Sequence, residues 1–211
     1  MSEIYRLAVP EDAPVVQRII HAAYVTIREL ELQWPAAHAD VEQIRDNIIA
    51  NKCYVLERDG DIVATITLAD PQRMKLLAEQ MDLPFVMWFA VDPDAQGSGW
   101  GRKLLNWVEQ EVIDKELGAP AVTLATAEKH PWLLPMYERW GYERLFAFDK
   151  GTGDGVMHLL RKRVNKERFA LYEQSKQAAA SSDEVQTAEL AQAASGGGRS
   201  VQQPALSFRR F

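Results

Sequence analysis

A chain of 211 residues with 47% hydrophobic content suits one globular domain with appendages. Its net charge of −6 argues against nucleic acid as the main partner, so a bound anion must be held by local geometry rather than a general basic field. The single cysteine excludes an internal disulfide, no apolar run reaches membrane-spanning length, and Met1-Ser2-Glu3-Ile4-Tyr5 lacks a signal-peptide pattern, so a cytoplasmic location is expected.

Ile4 to Ala8 alternates apolar and polar residues and reads as a first strand. Pro10-Glu11-Asp12 opens a helix, because proline and acids suit a first turn. Val16, Ile19, Ile20, Ala23, Tyr24 and Ile27 then recur at helical spacing as its buried face. After a break over Glu29 to Asp40, a second helix spans Val41 to Ala50, with Val41, Ile44 and Ile48 turned inward. Cys53 to Glu57 and Asp61 to Leu68 are strands joined by Arg58-Asp59-Gly60, a strong hairpin signal. Cys53, beside Tyr54, Val55 and Leu56, reads as buried and inert.

Pro71 to Gln80 reads as a short helix or irregular excursion. Pro84 to Val91 is a continuous apolar run and predicts a strand buried on both faces. A helix follows with Leu104, Leu105, Val108 and Val112 inward, ending near Leu117-Gly118. Ala121 to Ala127 is a strand, supported by its β-branched residues. His130-Pro131 starts a short helix that Gly141 stops, and Pro135 is awkward inside it. Tyr142 to Phe148 and Val156 to Val164 are the last strands, around Gly151-Thr152-Gly153-Asp154-Gly155.

The order β-α-α-β-β-β-α-β-α-β-β makes residues 1–164 a mixed α/β domain and leaves 165–211 as a helical and flexible tail. Asn165 to Ala180 reads as a helix with Phe169 and Tyr172, Glu184 to Ala194 as a weaker one, and Gly196-Gly197-Gly198 as a joint. The segment Arg199 to Phe211 is either a mobile tail or a docking segment anchored by Phe208 and Phe211. Its dock would be its own domain or a neighbouring subunit of a homodimer.

Val91-Asp92-Pro93-Asp94-Ala95-Gln96-Gly97-Ser98-Gly99-Trp100-Gly101-Arg102 gives a strand, a glycine turn and a helix start in immediate succession. Free backbone N–H groups at the positive end of a helix form a site for phosphate or diphosphate. Counting removes three familiar loops. G-x-G-x-x-G fails because Arg102 holds the third glycine position, G-x-x-x-x-G-K also fails at 102, and G-x-S-x-G fails at Gln96. Gln96-x-x-Gly99-x-Gly101 resembles instead the diphosphate motif R/Q-x-x-G-x-G/A of the GNAT (Gcn5-related) N-acetyltransferases. Tyr137-Glu138-Arg139-Trp140-Gly141-Tyr142 is similar to the family's second signature, a tyrosine followed four residues later by glycine and an aromatic. The resemblance covers about Ile4 to Val164 and implies a mixed, mostly antiparallel sheet flanked by helices.

The resemblance implies transfer of an acetyl group from acetyl-CoA, a co-substrate, to a primary amine, with no metal. The backbone N–H groups of Gln96, Gly97, Ser98, Gly99, Trp100, Gly101 and Arg102 would hold the diphosphate. A Cβ at 97, 99 or 101 would hold the backbone away from it or forbid positive φ. Arg102 and Lys103 either add charge for the phosphates or are solvated first-turn residues. The strand residues Phe89, Ala90 and Val91 would pair with the pantetheine arm and polarise the thioester carbonyl. Tyr137 stands where the family's general acid stands, and the alternative is a core tyrosine packed with Leu133 and Trp140.

Many relatives carry a glutamate base on the central strand, but 84–91 contains no acid. Asp82, Glu29, Glu128 and His130 are candidates, or water carries the proton, and His130 could instead cap its helix. Glu29, Glu31, Trp34 and Trp88 would line the acceptor pocket, with a small amine or amino acid as first choice and a protein amine second. A non-catalytic acyl-CoA-binding sensor or interaction module, and a generic phospholigand domain, are the competing readings.

Overall fold

The computed structural model describes residues 2–69 and 82–179. They belong to two compact units, Met1–Phe169 and Ala170–Phe211. The excursion expected over 71–80, the helix expected near 184–194, the glycine joint and the arginine-rich segment lie outside the described residues.

The first strand, β1 (Glu3–Leu7), leads through a tight turn at Pro10–Asp12 into helix α1 (Ala13–Ala23). The single helix expected here is two. Tyr24, at φ −96° and ψ 21°, leaves helical geometry and separates α1 from the short α2 (Val25–Glu29). Helix α3 (Val41–Ala50) starts at Asp40, whose side chain and that of Gln43 cap each other's backbone N–H. The hairpin of β2 (Lys52–Arg58) and β3 (Asp61–Ala69) turns at Asp59 and Gly60, with φ of 52° and 98°, the double positive φ that Asp-Gly favours.

Strand β4 (Phe85–Val91) precedes helix α4 (Trp100–Trp107), which continues as a π-helix over Val108–Glu116. Then come β5 (Ala121–Ala127), α5 (Leu133–Arg139), β6 (Glu143–Phe148) and β7 (Met157–Arg163). Pro135 turns out to be harmless. It is the third residue of α5, where no backbone donor yet has a partner within the helix. Asn165 caps the next turn through the Arg168 N–H, and Phe169 is buried under the guanidinium groups of Arg161 and Arg163. In the second unit, residues 170–179 are helical.

The strands form one seven-stranded sheet in the order β1-β2-β3-β4-β5-β7-β6. Only the β4–β5 pairing is parallel among them. Period-two alternation sorts the core into two layers. Cys53, Val55, Ala90 and Ala127 meet α1 and α3 on one face, while Tyr54, Leu56, Val86 and Leu124 meet α4 and α5 on the other. Ile19, Ile20, Ile44, Leu104 and Leu105 are fully buried there, each contributing about 1.5–3 kcal/mol of apolar burial.

Two irregularities in the middle of the sheet open it. The β4–β5 register runs only through Phe85↔Thr123 and Val86↔Leu124, after which β4 continues to Val91 and β5 to Ala127. On the other side of β4 the register with β3 jumps, Thr65↔Ala90 being followed by Thr67↔Met87, so Trp88 and Phe89 together face Ile66. Trp88 carries this bulge with φ of 50°. Met87, Trp88 and Phe89 are therefore half-buried, which corrects the expectation of a strand buried on both faces. Their side chains and backbone border a cleft between two diverging strands, a feature composition does not register.

Candidate active site

At the end of β4 the buried Asp92 fixes where the chain turns. One carboxylate oxygen accepts the Asp94 N–H at 3.1 Å and the other accepts Arg18 Nη1 at 2.9 Å. Gln96 Nε2 reaches back to the Val91 carbonyl at 3.3 Å. Gly97 and Gly99 follow with φ of 77° and 79°, and Gly99 is the N-cap of α4. The Lys103 N–H donates to the Gly99 carbonyl at 3.0 Å, so the N–H groups of Trp100, Gly101 and Arg102 precede the helical ladder. They stand at the positive end of α4, where an anion is favoured.

The three glycines answer two separate needs. At Gly97 and Gly99 an added Cβ would meet nothing within 4 Å, so backbone conformation alone selects glycine and the space above stays open. At Gly101 an added Cβ would lie 2.7 Å from Val91 Cγ2 and 3.2 Å from Phe89 Cζ. Helix α4 thus rests its first turn directly on the end of β4. This arrangement fits a diphosphate, with open space, unclaimed donors and a rigid floor.

The two neighbouring cations differ. Lys103 pairs with Glu3 at 2.7 Å and lies 4.1 Å from the centre of the Trp100 ring. Arg102 lies 5.5 Å from the Trp140 ring and makes no ion pair among the described residues, so it is the one with charge to spare for a ligand.

On α5, Tyr137 is buried in the same core layer as Phe89, Val91 and Trp100, with edge-on contacts to Trp140 at 5.9 Å and Tyr142 at 5.6 Å. Its hydroxyl has no hydrogen-bond partner among the described residues. Tyr142 behind it donates to Glu109 Oε1 at 2.8 Å, and Glu109 Oε2 pairs with Lys162 at 2.5 Å, so the wall supporting Tyr137 is pinned. Burial pushes the Tyr137 phenol far above its ordinary value. The protonated phenol is thus favoured, the form that a proton donor requires.

Tyr24 is a residue that helical periodicity placed only in the core. Its hydroxyl donates to the Phe89 carbonyl at 3.2 Å, so it ties the α1–α2 break to the bulge in β4. Burial, and then the nearby Tyr137, push its phenol far up as well. The available signal was a polar tip in an otherwise aliphatic stripe.

These phenols make alkaline stability predictable. Burial raises Tyr24, Tyr137 and Tyr142 strongly and takes Tyr54 to about 12. The folded state therefore keeps these protons above pH ~10, where the unfolded chain releases them. Their contribution to stability is complete below that pH and is lost as pH rises through the folded values. Phenolate absorbance of these four residues is expected to appear together with unfolding; a smooth titration of all four near pH ~10 in folded protein would refute it.

On the α1–α3 face, Trp34 and Trp88 are brought into one cluster with Tyr24, Phe148 and Met157, Trp34 meeting Tyr24 edge-on at 6.4 Å. Glu29 and Glu31 are exposed, and Glu31 holds φ of 55°. Among the base candidates, Asp82 is exposed three residues before β4, and Glu128 is held by His158 Nε2 at 2.8 Å. His130 is buried with Nδ1 unpartnered, and burial pushes its imidazole toward the neutral form.

Residues 21–142 match the model of the Acetyltransferase (GNAT) family. The chain belongs to that family and is an acetyl-CoA-dependent N-acetyltransferase. The S-(2-succino)cysteine N-acetyltransferase of Bacillus subtilis (strain 168) is 43% identical over 162 residues, covering 77% of this chain and 97% of that protein. The S-alkylcysteine N-acetyltransferase of the same organism is 42% identical over 168 residues, covering 79% and 92%. Among solved structures, yncA of Salmonella typhimurium with its cofactor acetyl-CoA has a TM-score of 0.61 at 15% identity, covering 79% and 96%, a likeness of fold.

Proposed function

We propose that the chain acetylates the α-amino group of an S-substituted cysteine. The observation that carries this reading is that two relatives above 40% identity, matched over nearly their whole length, both act on cysteines substituted at sulfur. The acceptor face supports it: Trp34, Trp88 and Phe148, partly buried, pack against the core cluster that holds Tyr24 and Met157, an apolar, largely aromatic setting suited to a thioether side chain.

The residues divide the work as follows. The N–H groups from Gln96 to Arg102 hold the diphosphate, helped by Arg102. The edge of β4 at Phe89, Ala90 and Val91 pairs with the pantetheine arm and donates to the thioester oxygen as charge builds on it. The amine nitrogen, having lost its proton to solvent, attacks the acetyl carbonyl carbon. The C–S bond breaks, the nitrogen of the new amide loses its second proton to solvent, and Tyr137 gives its proton to the departing thiolate and is reprotonated from solvent.

Thiol release from acetyl-CoA, measured over a panel of S-methyl-, S-propyl-, S-benzyl- and S-(2-succino)cysteine beside cysteine, alanine and lysine, tests it. At least one S-substituted cysteine is expected to exceed alanine and lysine by about tenfold or more in kcat/KM, the discrimination an apolar pocket supplies. Equal turnover across the panel, or turnover confined to protein amines, would overturn the reading.

A further inference from the structure

The loop between β6 and β7 contains a buried carboxylate that the chemistry above does not use. Asp154 is 5% exposed. Its Oδ1 accepts the backbone N–H of Gln33, 121 residues away, at 2.5 Å, and its Oδ2 accepts the Thr152 hydroxyl at 2.8 Å. Gln33 belongs to the connection between α2 and α3, next to Trp34. The same loop is held from a second side. Lys129 Nζ donates to the Gly153 carbonyl at 2.9 Å, and the Glu128 N–H donates to the Val156 carbonyl at 2.8 Å.

The segment that Asp154 grips is itself under constraint. Among the described residues three non-glycine positions have positive φ. Asp59 is explained by its hairpin, and the other two are Glu31, two residues before Gln33, and Trp88, on the bulge. Glu31 lies three residues before Trp34 and Trp88 is itself in the cluster, and backbone in such regions persists only where surrounding contacts hold it. The Trp34 indole nitrogen is buried with no partner, so Trp34 is not placed by a hydrogen bond of its own. Packing on one side and the Gln33–Asp154 bond next door are what place it.

We infer that Asp154 is a specificity-determining latch, which fastens the β6–β7 loop to the α2–α3 connection and so sets the depth available to the sulfur substituent of the acceptor. This rests on the proposed acceptor face at Tyr24, Trp34 and Trp88. Asp154 acts through Gln33 and Trp34, as a positioning residue. Releasing it lets Trp34 withdraw and the pocket lose its shape, while the CoA loop at Gln96 to Arg102 and the acid Tyr137 remain in place.

The test compares wild type, Asp154→Ala and Asp154→Asn on a series of S-alkylcysteines from methyl to hexyl, with amide exchange at Gln33 as an independent readout. In Asp154→Ala, KM for the best wild-type substrate is expected to rise about tenfold and the preference along the series to flatten. Its kcat should stay within about threefold, KM for acetyl-CoA should not change, and the Gln33 amide should exchange faster. Asp154→Asn, whose Oδ1 still accepts the Gln33 N–H, is expected to restore most of the preference. Wild-type preference retained despite fast Gln33 exchange would overturn the latch, and so would equal rises in KM for both substrates. If Asp154→Ala fails to fold, Asp154→Ser, which shortens the side chain that grips the Gln33 N–H, is judged by the same criteria. If wild type acetylates another amine instead, the proposed substrate fails on wild type alone. The latch is then judged on a chain-length series of that amine.

Discussion

Tyr137→Phe is expected to lower kcat by about two to four orders of magnitude while leaving KM for acetyl-CoA within about threefold. The size follows from what the hydroxyl does and does not do. It has no hydrogen-bond partner among the described residues, so deleting it strands no buried group, and the edge-on contacts with Trp140 and Tyr142 survive in phenylalanine. The melting temperature should hardly move, which separates this variant from one that merely loosens α5. What is lost is a donor matched to its target. A thiolate, whose conjugate acid lies near 8.5, must leave next to a phenol whose proton is held by burial far above 10. In the proposed step the phenol hydrogen-bonds the developing charge without ionising beforehand, and solvent restores the proton after product leaves. The loss should be uniform across acceptors, because the thiolate is common to all of them, and should shrink for thioesters with more acidic leaving groups. Thiol release and single-turnover acetylation measure it. A Tyr137→Phe enzyme within threefold of wild type would return Tyr137 to the core.

How much of this was legible in the chain depends on whether a feature is local. The hairpin at Asp59-Gly60, the bounds of α3 and those of β5 follow from neighbours in sequence, and the structure has them where the sequence puts them. The glycine spacing at 97, 99 and 101 likewise encodes its own turn. Pro135 was misjudged because its cost depends on a helix start that sequence locates only to within a few residues. The break at Tyr24, the bulge at Trp88 and the splay of β4 from β5 are tertiary. They arise where one strand is shared between an antiparallel and a parallel neighbour, and no periodicity in 84–91 marks them. Asp154 is the extreme case. In the sequence it is one acid in a glycine-rich loop, and its meaning comes from a partner 121 residues away. The glycine loop is therefore largely local and legible, whereas the proposed acceptor face is assembled from distant segments and is not.

Gly101→Ala is expected to raise KM for acetyl-CoA by at least about tenfold and to destabilise the fold by up to about 2 kcal/mol, for a different reason than Gly97→Ala or Gly99→Ala. The cause is the informative part, since all three changes add one methyl group to one loop. At 97 and 99 the new Cβ meets nothing within 4 Å and the cost is that of holding alanine at φ of 77° or 79°, about 1–2 kcal/mol each. At 101 the backbone is helical and alanine is intrinsically favoured by about 1 kcal/mol, so propensity alone would call the change stabilising. Packing reverses the sign. The methyl would stand 2.7 Å from Val91 Cγ2, with the Phe89 ring 3.2 Å away. Val91 is β-branched and stiff at χ1, and both residues belong to the strand edge proposed to receive the pantetheine arm. Either α4 lifts off the strand and carries the N–H groups of the phosphate cradle with it, or Val91 and Phe89 move and the edge of β4 is distorted. Both routes reach the cofactor site, so the loss of stability should be accompanied by a loss of acetyl-CoA affinity. Thermal unfolding with and without acetyl-CoA reads the two together. A Gly101→Ala protein as stable as wild type, with undiminished stabilisation by acetyl-CoA, would show that the first turn of α4 does not rest on β4 as this packing requires.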